Sequence, residues 1–297
     1  MTKVFFNILF SVMMSIALLG PCVSVAETRA EFLKFQQEAL NIGEVNADAI
    51  AEFSRRSFTF WIANAVDYNR SPEKYADVMP IYHQNQEKYA RDRTIKLDRF
   101  EDTINNFIKF DKRNTLANDP ILFVGSSSIV FWETSQSFPE YPVINRGFGG
   151  ASLPEVLHYY DDVIKKHKPS MMVVYCDIDV ENGKSPEFAV NAFKELVAKV
   201  EQDFPTTQML LLSMKPTLID DVLGKDVRKN KIITNDMLST YAEAHNNLHY
   251  VDITSVMIKE GEQLKDEIFL GDGMHMNPLG YELWDPVIRK EIRRILN

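Results

Sequence analysis

Cysteine is scarce in this 297-residue chain, which holds only Cys22 and Cys176. A disulfide framework is excluded as the source of its stability, and so is any Cys-x-x-Cys metal or redox motif. The His-Glu-x-x-His pattern is missing too. His245 and His249 have a metal-like spacing, but their segment runs from a helix end into a strand, so no zinc site emerges. Basic residues number 33 against 42 acidic ones, for a formal net charge of -9. That balance lacks the basic footprint of phosphate-backbone binding, and nucleic acid is not an expected partner. Glycine (12) and proline (13) are spread thinly, without a repeated period or a low-complexity tract. Collagen-like, solenoid and largely disordered chains are excluded on that ground. What is present is 45% hydrophobic and 25% charged, enough apolar side chain for a full core in one domain with an N-terminal extension.

Residues 1–26 follow a logic of their own. Lys3 is their only charge, Val4 to Leu19 is mostly apolar, Gly20-Pro21 breaks the helix, and Ser24-Val25-Ala26 offers small residues at a cleavage position. The expectation is a signal peptide and an exported, periplasmic or secreted protein. A helix from Val4 to Leu19 would span roughly 24 Å, short of the ~30 Å hydrocarbon core, which argues against an uncleaved anchor and against stable membrane insertion after cleavage. Pro21 stands where a lipoprotein signal wants a small residue, which argues against lipidation of Cys22. Cleavage after Ala26 leaves Cys176 as the sole cysteine.

From 27 to 118 the chain is rich in helix formers and aromatics, and Phe100, Ile104, Phe107 and Ile108 recur at helical spacing. Several helices are expected and no strand, with Trp61, Tyr75, Tyr82 and Tyr89 as packing residues rather than a ligand platform. After Pro120 short apolar runs alternate with amphipathic segments, as a βαβ series demands. Strands are predicted at Ile121 to Val124, Val143-Ile144, Met171 to Tyr175, Met209 to Leu212 and Tyr250 to Ile253. Helices are predicted from Ser152 to about Lys166, from Ser185, around Ile232 to Ala244, and from Asn277. The architecture expected of 119–297 is a parallel sheet with helices on both faces, its ligands beyond the carboxyl ends of the strands.

That rule selects the loops after the strands. Gly125-Ser126-Ser127-Ser128 hands the first strand over to a helix, a place for a nucleophile, although a serine cluster by itself equally suits a capping turn. It is not the Gly-x-Ser-x-Gly elbow, because Ile129 stands where the second glycine belongs. Asp272-Gly273-Met274-His275 sets a carboxylate three residues before an imidazole. Serine needs a base to take its proton and a carboxylate to hold that base in the right tautomer, and one short loop could supply both. Asn145 to Ser152 contains three glycines whose N–H groups could line an oxyanion hole; as a dinucleotide fingerprint it fails at Ser152. Asp177, Asp179 and Glu181 resemble the start of a calcium loop, but Gly183 comes one position late and Phe188 replaces the closing glutamate.

Three blocks, 121–132 (ILFVGSSSIVFW), 143–150 (VINRGFGG) and 272–281 (DGMHMNPLGY), resemble conserved blocks of the SGNH hydrolases, or GDSL-type esterases, in the family's order. The resemblance runs from about Phe107 to the C-terminus. It implies a flavodoxin-like three-layer α/β/α fold, Ser127 as nucleophile, His275 as base, Asp272 as its orienting partner, and an oxyanion hole from the N–H groups of Ser127 and Gly150. A fourth block departs: where the family has Gly-x-Asn-Asp this chain has Cys176-Asp177-Ile178-Asp179, so Ile178 replaces the oxyanion asparagine, with Asn182 and Lys184 nearby. The function expected is an exported serine esterase acting on a small-molecule or carbohydrate ester, acetyl esters foremost, without a cofactor or metal. The alternative is a weak or silent relative that binds a glycan or envelope component.

Overall fold

Thr28 opens the helix α1 (Arg29–Asn41) with a reciprocal cap: its hydroxyl accepts from Glu31 N–H and its own N–H donates to the Glu31 carboxylate. Asn46 caps α2 (Ala47–Arg70) in the same sense, accepting from Ala49 N–H at 2.9 Å, and a turn at Pro72–Tyr75 leads to α3 (Met79–Lys88). The computed structural model describes residues 27–89, 97–259 and 263–296, so the leader expected over 1–26, with Cys22, lies outside the described residues. The chain divides into two units, 1–92 and 93–297. In the first, Phe32 stacks on Phe60 with ring centroids 3.8 Å apart, and Trp61 meets Tyr68, Tyr75 and Tyr82. Trp61, Tyr75, Tyr82 and Tyr89 are all buried, as packing residues should be. Among them Asn85 Nδ2 donates to Gln36 at its carbonyl and side-chain oxygens, at 2.8 and 2.9 Å, so this buried amide group is paired.

The second unit begins with α4 (Glu101–Arg113), whose Ile104 is buried with the core of the sheet; the sequence reading groups this helix with the extension. The sheet contains β1 (Ile121–Gly125), β2 (Val143–Gly147), β3 (Met171–Tyr175), β4 (Gln208–Leu212) and β5 (Leu248–Val251), all parallel, in the order β2-β1-β3-β4-β5. This is the flavodoxin-like order, and its switch point, where the chain leaves one side of β1 for the other, falls between β1 and β3. Helices cover both faces, which is why β1 and β3 are buried at every position and show no alternation in sequence. Leu122, Val124, Met172, Val174 and Leu211 face α4, α6 (Leu153–His158), α7 (Pro186–Asp203) and α8 (Val227–Glu243). Phe123 and Tyr175 pack on the opposite face, against Trp132, Phe138 and Trp284 of the last helix, α9 (Pro278–Leu296).

Several boundaries differ from expectation; β2 reaches Gly147, three residues past Ile144, because its register pairs it with β1 as far as Gly125. The helix from Ser152 ends at His158, and a further turn and a 3-10 turn carry the chain to Lys168, whose φ of 47° ends it. α8 begins at Val227, five residues before Ile232. β5 runs over Leu248–Val251 because its register pairs Leu248 with Met209, and Asp252 then turns to accept from Thr254 N–H.

A buried ion network joins the ends of β3 and β4 to α8. Lys231 Nζ donates to Glu181 at 2.7 Å, to Asp220 at 2.9 Å and to the Lys215 carbonyl at 3.2 Å, while Lys215 lies 3.4 Å from Asp177. Burial alone would push the Asp220 carboxyl up, but the Lys231 and Arg228 charges hold it below its ordinary value. Its contribution to stability is therefore present above the usual carboxylate range and is lost as pH falls through the depressed value. Lys231→Met strips these carboxylates of their shared cation, and its expected cost at pH 7 is about 3–5 kcal/mol, the usual consequence of removing one partner from a buried pair. Urea unfolding at pH 7 and pH 5 checks it: the deficit should shrink in acid, as the stranded carboxyls take up protons, and a variant as stable as the parent at pH 7 would show the ammonium to be dispensable.

Candidate active site

Gly125 sits at the end of β1 with φ 145°, where a Cβ would lie 1.7 Å from the Tyr175 carbonyl oxygen, so only glycine fits. Ser126 N–H then donates to Tyr175 O at 3.2 Å, and the chain turns into the short helix α5 (Ser127–Val130) with Ser127 at its first position, half-buried. Two neighbours hold this turn from outside. Tyr281 Oη on α9 donates to Ser128 O at 2.9 Å, and Asn145 Nδ2 on β2 donates to Ile129 O at 2.7 Å and to Trp132 O at 3.2 Å.

Asp272 and His275 arrive on the loop before α9. Asp272 Oδ1 accepts from the N–H groups of Met274 and His275, both at 2.9 Å, while Leu218 N–H, after β4, donates to Gly273 O at 2.8 Å. Asp272 Oδ2 lies 2.7 Å from His275 Nδ1, and His275 Nε2 lies 3.1 Å from Ser127 Oγ. A carboxylate only accepts, so Nδ1 carries the proton and the Nε2 lone pair is left to receive that of Ser127. Burial opposes the charge on Asp272, but the hydrogen bonds and charge of His275, with the backbone N–H groups of the loop, outweigh it and hold the carboxyl below its ordinary value. The exposed Phe131 ring stands edge-on to His275, with centroids 5.0 Å apart. It is a contact that its place four residues after Ser127 did not announce.

The glycine-rich loop follows β2. Gly150 has φ 76°, and neither its N–H nor that of Ser127 donates to an acceptor among the described residues, so both are available to a ligand. Ile178 supplies no third donor: its half-buried side chain packs on the sheet's core. Asn182 caps the turn that Ile178 begins, and Lys184 Nζ lies over the Phe188 ring at 5.4 Å. The acidic residues of the calcium-like stretch point to separate partners. Asp177 accepts from Tyr175 Oη at 2.5 Å, Asp179 from Leu153 N–H at 3.2 Å and Glu181 from Lys231. Burial pushes Asp179 up to about 6, against the Leu153 hydrogen bond and with the help of the Glu155 charge.

A five-stranded parallel sheet in this order, layered by helices and with its polar residues gathered beyond the carboxyl ends of β1 and β2, is the α/β fold of the SGNH hydrolases. The chain belongs to the GDSL-like lipase/acylhydrolase family, a family of ester hydrolases, whose profile matches residues 132–283. Among solved structures, a GDSL-like lipase from Bacteroides thetaiotaomicron is similar at 16% identity and TM-score 0.58, over 67% of this chain and 100% of its own. A Streptococcus pneumonia structure described as a candidate platelet activating factor is similar at 19% identity and TM-score 0.59, over 66% of this chain and 93% of its own. A candidate acylhydrolase from Bacteroides fragilis is similar at 18% identity and TM-score 0.55, over 70% of this chain and 100% of its own. No curated protein matches the chain. Among the described residues no helix is long and apolar enough to cross a membrane.

The relay makes acid sensitivity testable. An imidazole protonated at Nε2 cannot take the serine proton, while Asp272, held low, stays ionised, so ester turnover should fall in acid along a limb that follows a single proton. Asp272→Asn should cost roughly 10,000-fold in kcat by favouring the wrong tautomer. Rates measured where chemistry limits turnover check both, and a flat acid limb or an active Asp272→Asn enzyme would refute the relay.

Proposed function

We propose that this chain is an exported serine esterase that hydrolyses small acyl esters, acetyl esters of carbohydrates foremost, through Ser127, His275 and Asp272. The observation that carries the reading is the continuous hydrogen-bonded line from Asp272 through His275 to Ser127 Oγ. In this reading Ser127 Oγ attacks the ester carbonyl carbon as its proton passes to His275 Nε2. The carbonyl oxygen, now an anion, accepts from the N–H groups of Ser127 and Gly150. The C–O bond to the alcohol breaks and the alcohol departs with the proton from Nε2, leaving an acyl-serine. Water then gives a proton to Nε2 and adds to the acyl carbon, and collapse frees the acid and returns the proton to Ser127. The apolar leader of residues 4–19 supports export of the chain that follows it.

Ile178 favours a second reading, a protein of the same fold that binds a glycan or envelope ester without turning it over. Loss of one oxyanion donor costs on the order of 100 to 1000-fold in turnover, enough to silence a weak enzyme. Hydrolysis of an aryl ester series by residues 27–297, beside Ser127→Ala, separates the two. Turnover that falls with acyl length and vanishes in Ser127→Ala is expected; a folded protein that neither turns over esters nor labels at Ser127 with a covalent serine probe would overturn the esterase reading and shift the weight to the binder. If the missing donor limits the rate, Ile178→Asn should raise kcat, by up to roughly 100 to 1000-fold. A folded Ile178→Asn variant with an unchanged or lower rate would show that oxyanion stabilisation does not wait on that position.

A further inference from the structure

The glycine loop poses a mechanical problem. A glycine donor aims its N–H reliably only if something outside the residue fixes its dihedrals, since glycine itself prefers no one conformation. Around Gly150 the neighbouring peptide groups are engaged one by one. Phe148 N–H donates to Gly125 O at 3.0 Å and Ala151 N–H to Phe148 O at 3.1 Å; Cys176 Sγ donates to Ala151 O at 3.3 Å; Ser152 N–H donates to Glu155 Oε2 at 2.8 Å. The carbonyl of Gly150 itself is taken by a residue from far away in sequence: Arg99 Nη2 donates to it at 2.5 Å.

Arg99 is in turn held by Glu155. Its Nε donates to Oε1 and its Nη2 to Oε2, the latter at 2.9 Å, in the forked geometry that suits a guanidinium to a carboxylate. Glu155 is almost wholly buried, and its Oε2 also accepts from the hydroxyl of Ser152 at 2.7 Å. Next to Arg99, Phe100 packs edge-on against Phe148, with centroids 5.0 Å apart. The segment 99–100 thus grips the loop at both ends, Phe148 by its ring and Gly150 by its carbonyl.

We propose that Arg99, locked by Glu155, is a positioning residue that sets the direction of the Gly150 N–H for oxyanion stabilisation. The proposal rests on the esterase reading above. With its C=O held by Arg99 and its N–H by Phe148 O, the Gly150–Ala151 peptide plane is held in place, and it anchors the residue whose φ and ψ set where the Gly150 N–H points. With Ile178 in place of a third donor, the aim of the two that remain governs how well the anion is held. Because Glu155 balances the guanidinium, Arg99 acts through geometry and not through its charge.

Arg99→Ala is expected to lower kcat roughly 10 to 100-fold, the scale on which misplacement by about 1 Å acts, with KM changed less than about threefold. Arg99→Lys, which can hold the Gly150 carbonyl or the carboxylate but not both through a fork, should fall between. Millimolar guanidinium should restore part of the Arg99→Ala rate, whereas a loss caused only by a weakened fold would not be restored. Amide hydrogen exchange at Ala151 is read in parallel on the same variants and should speed up in Arg99→Ala, since it needs no turnover. Failure of the parent enzyme to show Ser127-dependent hydrolysis overturns the esterase reading and leaves exchange to judge the clamp. A folded Arg99→Ala or Arg99→Lys enzyme with kcat within twofold of the parent, or unchanged Ala151 exchange, overturns the clamp itself. Should Arg99→Ala fail to fold, Arg99→Lys carries the same two readouts.

Discussion

Everything at the site depends on how closely β1 lies against β3 at Gly125. The strands are parallel and in register, so that Gly125 pairs with Gly147 on one side and with Tyr175 on the other. No side chain fits at Gly125, because a Cβ there would sit on the Tyr175 carbonyl, and at Gly147 it would lie 2.7 Å from the Val130 N. Two glycines at one level let three strands end together. The loops that carry Ser127, Gly150 and Ile178 therefore leave the sheet side by side at the switch point, where an open α/β sheet forms its crevice.

The loop after β3 shows a competition between fold and site. Asp177 is drawn into contact with the two buried lysines, Asp179 accepts from the backbone that begins α6, and Glu181 is paired with Lys231. Every charged residue of the stretch is spent on holding β3, α6 and α8 together, and Ile178 packs on the core. The position where the family resemblance would put an oxyanion asparagine contributes apolar burial in its place. The compensating constraint lies on the other side of the crevice, where the loop of Gly150 is fixed at almost every peptide group. On the proposed esterase reading, a hole of two donors tolerates less wandering of either, a demand that the hydrogen bonds on that loop would meet.

Sequence patterns carried much of this. Strands buried on both faces read as short apolar runs, and Ser152-x-x-Glu155 and Ser185-Pro186 marked helix starts that the structure places where they were expected. Asp272-x-x-His275 was legible because a carboxylate and an imidazole three residues apart in a glycine-containing turn reach each other locally, and they meet at 2.7 Å. The ends of elements were less legible. β5 begins two residues earlier than its apolar residues suggest, because its register is imposed by β4, and β4 is far away along the chain.

By itself the sequence determined the alternation of strand and helix, the parallel sheet that alternation requires, the acidic balance of charge, and the residue types able to do acyl transfer. Periodicity, capping and turn chemistry are local, and local physics is written in neighbouring residues. Only the tertiary structure decided that Ser127 and His275, 148 positions apart, would stand 3.1 Å from each other, that Phe131 would wall the imidazole, and that Arg99 would close on Gly150 from 51 positions away. Such contacts are set by which strands pair and how closely they approach, and no spacing along the chain encodes that.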